Sequence, residues 1–390
     1  MADRRAAGTP SRGGRLHDQG DRVRRLRTYA AEPAHRRDPT GTERPRLPGG
    51  GGRRPAEGVL RHRAPRDGWG VPVKISWPTL RRLRDGFLSG QAGAADYWQS
   101  PDDLALYDAT FAQRIGWKWD FVLEDLRGLG WLPPDGSLLD WGCGSGIAHR
   151  ALLDTFPAQN GVVLHLFDRS PLAVQFAMRR AREKYPQLTI QTGIPGTIDL
   201  LLISHVLTEM TPSQVEDLTS LAAGAQSVIW VEPGTYETSL TLIAIRERLR
   251  DRFSVVAPCP HQGPCGILAP GNESHWCHQF ATPPPVVFTD GFWAEFGREL
   301  EIDLRSLPLS YLVLDRRPVP AQSPNAVRIL GRPDVLKAHA EVIACSANCL
   351  QTCRLVKREH PDVYRQWKKG RFASRQEWEM EGERIALVAG

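Results

Sequence analysis

The sequence lacks any long hydrophobic run: no stretch of its 390 residues approaches the roughly 20 apolar residues that a membrane-spanning helix needs. The longest apolar stretches, near Leu200 and Val228, have the length of β-strands. Hydrophobic residues still make up 41% of the chain, which is typical of a folded globular protein. The composition therefore predicts a soluble protein with no membrane partner.

Lysine is absent from the first 70 residues. Met1–Gly70 contains 17 arginines and eight acidic residues, so nine of its positive charges are in excess and the rest of the chain carries a net charge of −3. Because Pro, Gly and charge dominate the segment, we predict a disordered head over residues 1–72. It is interpreted as a nucleic-acid arm, a targeting segment or an over-extended reading frame. Arginine without lysine favours the last, with the natural chain opening near Val71 or Val73.

Helical patterns follow over residues 73–130. Ser76 is placed to cap a helix whose first turn contains Pro78. A second helical region is predicted from about Leu104 to Leu126, because apolar residues recur there at helical spacing.

Residues 131–317 alternate short apolar runs with helical segments, which predicts right-handed crossovers and a mostly parallel sheet. The remainder, 318–390, is predicted to be a β-containing extension with a basic, aromatic tail. The predicted strands are Ser137–Trp141, Val162–Phe167, Asp199–Ser204, Ser227–Val231, Val255–Val256, Tyr311–Leu314, Val327–Leu330 and Ala340–Ala344.

A glycine loop joins the first of these strands to a helix. Gly142, Gly144 and Gly146 let the backbone approach a ligand closely, and the helix start offers free N–H groups. The spacing G-x-G-x-G differs from the G-x-G-x-x-G that receives a pyrophosphate, and suits a ligand whose amino-acid part meets Asp140. Asp168 ends the next strand, where an acid holds ribose hydroxyls. These five residues predict an α/β, Rossmann-like class I methyltransferase fold that binds S-adenosylmethionine.

The ends of the next two strands contain no established catalytic motif. Neither the segment ending at His205 nor Val231–Thr235 has the Asn/Asp-Pro-Pro-aromatic tetrad or the paired cysteines used on nucleobases. His205 is a candidate base near neutral pH, and the alternative is that His205 and Glu209 pack around the cofactor. Methyl transfer needs little more than alignment, so catalysis is neither predicted nor excluded, and the catalytic residues and acceptor stay unknown.

The chain has seven cysteines but no paired C-x-x-C motifs. Their spacing is not that of a small disulfide-rich secreted protein, which favours a reducing compartment. An insertion at 258–302 is rich in Cys, His and Pro, and its loops allow thiolates to converge. Such a set suits a [4Fe–4S] cluster or tetrahedral zinc, and the irregular spacing favours the cluster; unconnected free thiols are the third alternative. The candidate ligands are Cys259, Cys265 and Cys277, with a fourth among Cys345, Cys349 and Cys353 and, for zinc, His261, His275 and His278.

Taken together, these motifs resemble the methyltransferase-like proteins of the mitochondrial small ribosomal subunit and their bacterial relatives. The resemblance covers roughly Trp77 to the C-terminus and rests on the glycine loop, on Val231–Thr235 and on the motifs Cys-Pro-His and Trp-Cys-His of the insertion. It implies a [4Fe–4S] cluster on Cys259, Cys265, Cys277 and Cys345. Gly266 departs from the family, which tends to have proline there.

The resemblance also implies association with the small ribosomal subunit and its rRNA, in the cytoplasm for a bacterial chain and in mitochondria for a eukaryotic one. The segment Tyr364–Arg371 is similar to the family's basic, aromatic end, which can contact RNA phosphates and stack on bases. The first hypothesis is thus an iron–sulfur-binding factor of ribosome assembly or translation. The second is an active methyltransferase on RNA or protein with a structural metal site, and the third a zinc enzyme acting on a small molecule.

Overall fold

The computed structural model describes residues 73–88, 97–159, 161–319, 322–347 and 350–389, all within the unit Arg61–Gly390. The predicted head and Cys349 lie outside these ranges. Within them, no helix is both long enough and apolar enough to cross a bilayer.

Three helices precede the sheet: α1 (Trp77–Leu88), α2 (Pro101–Asp108) and α3 (Phe111–Gly128). The helical region predicted over about Leu104–Leu126 consists of two helices, because the chain breaks between α2 and α3. At the break, the hydroxyl of Thr110 donates to the carbonyl of Leu106 and so competes with the helical backbone.

The central sheet has the predicted α/β alternation. Its path runs β3-β2-β1-β4-β5-β8-β6, with β1 to β5 parallel, β8 antiparallel to its neighbours, and β7 pairing with β8. The strands are β1 (Ser137–Trp141), β2 (Val163–Phe167), β3 (Thr189–Thr192), β4 (Leu200–Ser204), β5 (Ser227–Pro233), β6 (Ser254–Ala257), β7 (Gln279–Ala281) and β8 (Leu307–Asp315).

The sheet is covered by helices on both faces, as buried parallel strands require. Thr211 caps the helix Pro212–Gly224 with a full capping box to Gln214. The helices are α4 (Ile147–Thr155), α5 (Pro171–Lys184), α6 (Pro212–Gly224), α7 (Tyr236–Leu249), α8 (Val286–Thr289) and α9 (Gly291–Glu299). The predicted fold class is confirmed.

The C-terminal region forms a closed five-stranded barrel in the order β10-β11-β13-β12-β9. Its elements are β9 (Ala326–Val335), β10 (His339–Ser346), β11 (Leu350–Val356), α10 (Pro361–Lys368), β12 (Arg375–Glu381) and β13 (Arg384–Ala389). One helix lies between the third and fourth strands, and the third and fifth run parallel. This is the topology of the oligonucleotide- and oligosaccharide-binding (OB) barrel.

Two rings of the predicted basic, aromatic tail belong to the core of this barrel. Tyr364 and Trp367 face inward from α10 and are only 6% and 3% exposed. The expectation that these rings stack on RNA bases is therefore wrong, because burial in the barrel removes their faces from solvent. The basic residues of the same helix point outward.

Candidate functional site

The glycine loop lies between β1 and α4 and depends on all three of its glycines. Gly142, Gly144 and Gly146 have φ values of 68°, 50° and 84°, in the left-handed region that side chains disfavour. A Cβ on Gly146 would also lie 2.4 Å from the ring of His149. The loop therefore turns sharply at the start of α4, with the backbone N–H groups of a helix N-terminus beside it.

Asp168 holds this loop against the end of β2. Its Oδ2 accepts from the backbone N–H of Gly144 and its Oδ1 from that of Ser170, each at 2.9 Å. Burial raises the pKa of Asp168, and the two hydrogen bonds oppose that shift. The carboxyl group is thus fixed in orientation at the position where the sequence predicts a ribose contact.

Asp140 is fully buried beneath the loop, where it pairs with a residue that the sequence analysis missed. Its Oδ2 lies 2.7 Å from Nδ1 of His149, which is also fully buried. Three side-chain atoms here are buried and have no hydrogen-bond partner: Asp140 Oδ1, Ser145 Oγ and His149 Nε2. Buried polar atoms are nearly always paired, so this loop lacks the polar partners that a ligand or ordered water supplies.

His205 lies beside the loop, at the carboxyl end of β4, with a backbone φ of 56° that is unusual for a residue other than glycine. Its Nε2 lies 3.2 Å from Nζ of Lys118 on α3. Burial, Lys118 and Arg114 hold the pKa of His205 well below its usual value, so the ring is neutral. Lys118 was missed because α3 approaches β4 only in the folded chain.

Four of the predicted cysteines lie close together. Burial raises the pKa of the Cys277 thiol, and the neighbouring Cys259, Cys265 and Cys345 raise it further. Three of the four belong to the insertion after β6, whereas Cys345 belongs to barrel strand β10. Cys353 instead faces the barrel core and is 1% exposed.

Two arginines and a histidine lie beside these thiols. Arg246 of α7 donates from Nε to Cys259 Sγ at 3.1 Å and from Nη2 to the carbonyl of Gly263 at 2.8 Å. Nε2 of His261 lies 3.5 Å from Cys345 Sγ. Arg328 of β9 lowers the pKa of Cys277 and Cys345, in opposition to burial. Glu247 also belongs to this environment, because it pairs with Arg246 and accepts from the backbone N–H of Cys265, so the charges around the cysteines are mixed.

Within the described ranges, no group of three or more His, Cys, Asp or Glu side chains is arranged so that it could hold a metal ion. A single tetrahedral zinc requires four sulfurs about 3.8 Å apart, given a Zn–S distance near 2.3 Å. A four-iron cluster occupies the space between its thiolates and needs them further apart. The four thiols thus influence one another electrostatically without the arrangement of a single-ion site.

The strand order, with its antiparallel β8 between β5 and β6, and the glycine loop after β1 define a class I methyltransferase-like protein. A family model described as mitochondrial small ribosomal subunit Rsm22 matches residues 129–376, and the chain belongs to this family. No curated protein matches the chain.

Several solved structures are similar to the chain. The plantazolicin methyltransferase BpumL, in complex with SAH, is 16% identical over 62% of this chain and 98% of its own, with a TM-score of 0.32. The mitomycin 7-O-methyltransferase MmcR is 20% identical over 48% and 65%, with a TM-score of 0.31. A protein from Thermoplasma acidophilum is 12% identical over 62% and 98%, with a TM-score of 0.31. Similarities this distant carry no information about substrate.

Proposed function

We propose that this protein is a methyltransferase-like, iron–sulfur-binding factor that acts on the small ribosomal subunit in assembly or translation. The observation that carries the proposal is the proximity of Cys259, Cys265 and Cys345 to Cys277 in a member of a small-subunit family. We expect the protein in the compartment that contains the ribosomes on which it acts, which is the cytoplasm in a bacterium and the mitochondrion in a eukaryote.

The four thiols fit a [4Fe–4S] cluster chemically. Burial raises the pKa of Cys265 to about 11, with Cys259 adding to the shift, so this thiol is protonated without a compensating charge. A bound cluster supplies cationic iron that holds them as thiolates. Arg246 stabilises the thiolate of Cys259 by donating to its sulfur. Because Cys345 belongs to the barrel, the ligand set would link the barrel to the methyltransferase-like domain.

The glycine loop fits S-adenosylmethionine. Gly142, Gly144 and Gly146 would allow close approach of its backbone, Asp168 would hold the ribose, and the unpaired Oδ1 of Asp140 would face its amino-acid end. The bound cofactor supplies a methyl group. The unpaired polar atoms favour a bound cofactor, which the second candidate function, an active methyltransferase on RNA or protein, requires.

Contact with rRNA is assigned to the barrel. Arg365, Lys368, Lys369 and Arg371 are exposed in a stretch without acidic residues, whereas β12 presents Glu377, Glu379 and Glu381 to solvent. Basic side chains attract phosphates and the acidic strand repels them, so the α10 side of the barrel is the surface that suits RNA.

The association is tested by sedimentation of the tagged full chain in cell lysate through a sucrose gradient. We expect it to co-migrate with the small subunit, and we expect Cys259→Ala to lower the bound fraction while Cys143→Ala, in the glycine loop, leaves it unchanged. Migration only at the top of the gradient, at low salt and with the wild-type chain, would refute association. Methyl transfer from labelled cofactor, lost in Asp140→Ala, would establish the second candidate.

A further inference from the structure

Arg328 lies in the wall of the C-terminal barrel and is only 2% exposed. In the antiparallel pairing of β9 with β10, it is the residue directly opposite Cys345. Residues opposite one another in such a pair point to the same face of the sheet, with Cβ atoms about 4.5–5.5 Å apart. A buried arginine therefore accompanies the one candidate cluster ligand that the barrel contributes.

The guanidinium of Arg328 pairs with a carboxylate of the methyltransferase-like region. Its Nη1 and Nη2 donate to Oδ1 and Oδ2 of Asp125 on α3, at 3.2 and 2.8 Å. Tyr311 of β8 donates from its hydroxyl to the same Oδ2 at 2.7 Å. A bidentate pair between arginine and carboxylate fixes the plane of the guanidinium as well as its position. The orientation of Arg328 is therefore set by α3 and β8, outside the barrel.

The same guanidinium also contacts the cysteine insertion. Its Nε donates at 2.9 Å to the carbonyl of Pro258, the residue before Cys259. Its Nη1 donates in addition to Oγ of Ser374, just before β12, at 3.0 Å. One side chain thus joins α3, the insertion and the barrel, and it does so beside ligands from two of them.

The backbone of Cys277 is held by the strand that supports Asp125. Ser310, the neighbour of Tyr311 on β8, donates from its hydroxyl to the carbonyl of Cys277 at 2.8 Å. Ser239 of α7 donates to the same carbonyl at 2.9 Å. Adjacent residues of β8 therefore fix one insertion ligand directly and Arg328 through Asp125.

We propose that Arg328, oriented by Asp125, is the positioning residue that holds Cys345 in place against Cys259 and Cys277. The inference rests on the proposed cluster and assigns the residues that bring its fourth ligand to the other three. Every contact of the network is made by protein atoms, so the barrel strand is placed before a cluster binds. The site is thereby prepared for a cluster rather than assembled by it.

The network also brings one charge of each sign to the site. Arg328 is close enough to act electrostatically on both Cys277 and Cys345. Because reduction adds negative charge to a cluster, a nearby cation raises its reduction potential and a nearby carboxylate lowers it. Loss of Arg328 leaves the carboxylate of Asp125 unbalanced, and loss of that carboxylate leaves the cation unbalanced. The two losses should therefore shift the potential in opposite directions, which damage to the fold alone would not do.

The test uses the full chain, loaded anaerobically with iron and sulfide. The variants are Arg328→Met, Asp125→Asn, the two combined, and Arg328→Lys, which retains the charge. Arg354→Met is the matched control, because Arg354 pairs with Glu341 of β10, the strand of Cys345, on the outside of the barrel. The rate of iron loss to a chelator and the reduction potential, followed by electron paramagnetic resonance, are measured for each.

We expect Arg328→Met and Asp125→Asn to lose iron at least about tenfold faster than the wild-type chain, as loss of a charge-assisted contact implies. The double variant should lose it no faster than the worse single variant, because the two residues act as one unit. The reduction potential should fall in Arg328→Met and rise in Asp125→Asn. Arg328→Lys should stay near the wild-type potential and recover part of the iron retention.

The outcomes separate this inference from the function on which it rests. If the wild-type chain retains no iron, the cluster proposal and the inference are both overturned. If it retains iron and both single variants match Arg354→Met, or both shift the potential in the same direction, only the positioning role is overturned. Tyr311→Phe removes one hydrogen bond to Asp125 and serves if Arg328→Met does not fold. It should lose iron at a rate between those of the wild-type chain and Asp125→Asn, and a wild-type rate would contradict the inference.

Discussion

Arg246 donates a hydrogen bond from Nε to the sulfur of Cys259 across 3.1 Å, although the arginine is only 2% exposed. The same guanidinium pairs through Nη1 with Glu247, so it bridges a thiol and a carboxylate. The contact joins α7 of the methyltransferase-like domain to the cysteine insertion. It marks Cys259 as the thiol most directly prepared to bind a positive centre.

The first prediction concerns this arginine. Arg246→Met should lower the iron retained per chain and destabilise the protein by about 1.5–3 kcal/mol, because hydrogen bonds to charged groups are lost. Iron analysis and urea denaturation measure the two effects. Arg248→Met is the matched control, since Arg248 lies on the same helix but pairs at the surface with Glu216. Equal effects of the two substitutions would contradict a specific role.

The second prediction separates two barrel cysteines. Cys345 lies among the insertion thiols and Cys353 faces the barrel core, although the residues are close in sequence. Cys345→Ala should therefore lose most of the bound iron, while Cys353→Ala should retain it and lose only stability. Iron and sulfide content per chain, measured under anaerobic conditions, decides between them. The reverse pattern would place the fourth ligand elsewhere.

The third prediction is a pH dependence of stability from Lys118. Burial, with Arg114 adding to the effect, lowers the pKa of this lysine from 10.5 to about 7, while Glu232 opposes the shift and the contacting His205 stays neutral. The unfolded chain therefore binds more protons between pH 7 and 10.5, and stability gains at most about 1.4 kcal/mol per pH unit there. The penalty is fully present below pH 7.

This dependence is measured as the change in unfolding free energy between pH 7 and pH 9. The gain on raising the pH should be larger in the wild-type chain than in Lys118→Met, and Lys74→Met should behave as the wild type does. Because the substitution removes an unpaired buried cation, Lys118→Met should also be the more stable chain at pH 7. Identical pH profiles for all three would show that Lys118 is solvated.

The fourth prediction tests the RNA surface. Reversing Lys368 and Lys369 together to Glu should weaken binding to single-stranded rRNA fragments and reduce the slope of log affinity against log salt by about 1.4, at about 0.7 per lost phosphate contact. Both residues are exposed at the end of α10, so the barrel core is unaffected. Glu377→Gln and Glu379→Gln, on the acidic strand, serve as the control. A salt slope that does not change would remove α10 from the interface.

The sequence was sufficient to predict the α/β sheet because its signals are local. Thr211 before Pro212 specifies a cap, and three glycines in left-handed backbone specify the loop after β1. Such features depend on neighbours in the chain. The six strands predicted in the methyltransferase-like region were therefore confirmed, with small differences at their ends, whereas β3 and β7 were missed.

What could not be predicted depends on contacts between distant residues. His149, in the first turn of α4, pairs with Asp140 of β1. Lys118 contacts His205, which lies 87 residues further along the chain. The barrel is closed by pairing between β9 and β12, which no short pattern specifies. Tyr364 and Trp367 looked like exposed tail residues because the helical pattern does not say on which side a core will form.

The most direct test of the account is an absorption spectrum with iron, sulfide and zinc analysis on the anaerobically purified full chain. We predict a brown protein with a broad visible band and about four irons per chain, lost together in Cys277→Ala. A colourless chain that contains zinc, or no metal under the same anaerobic conditions, would contradict the iron–sulfur proposal and leave a methyltransferase-like member of the small-subunit family without a cluster.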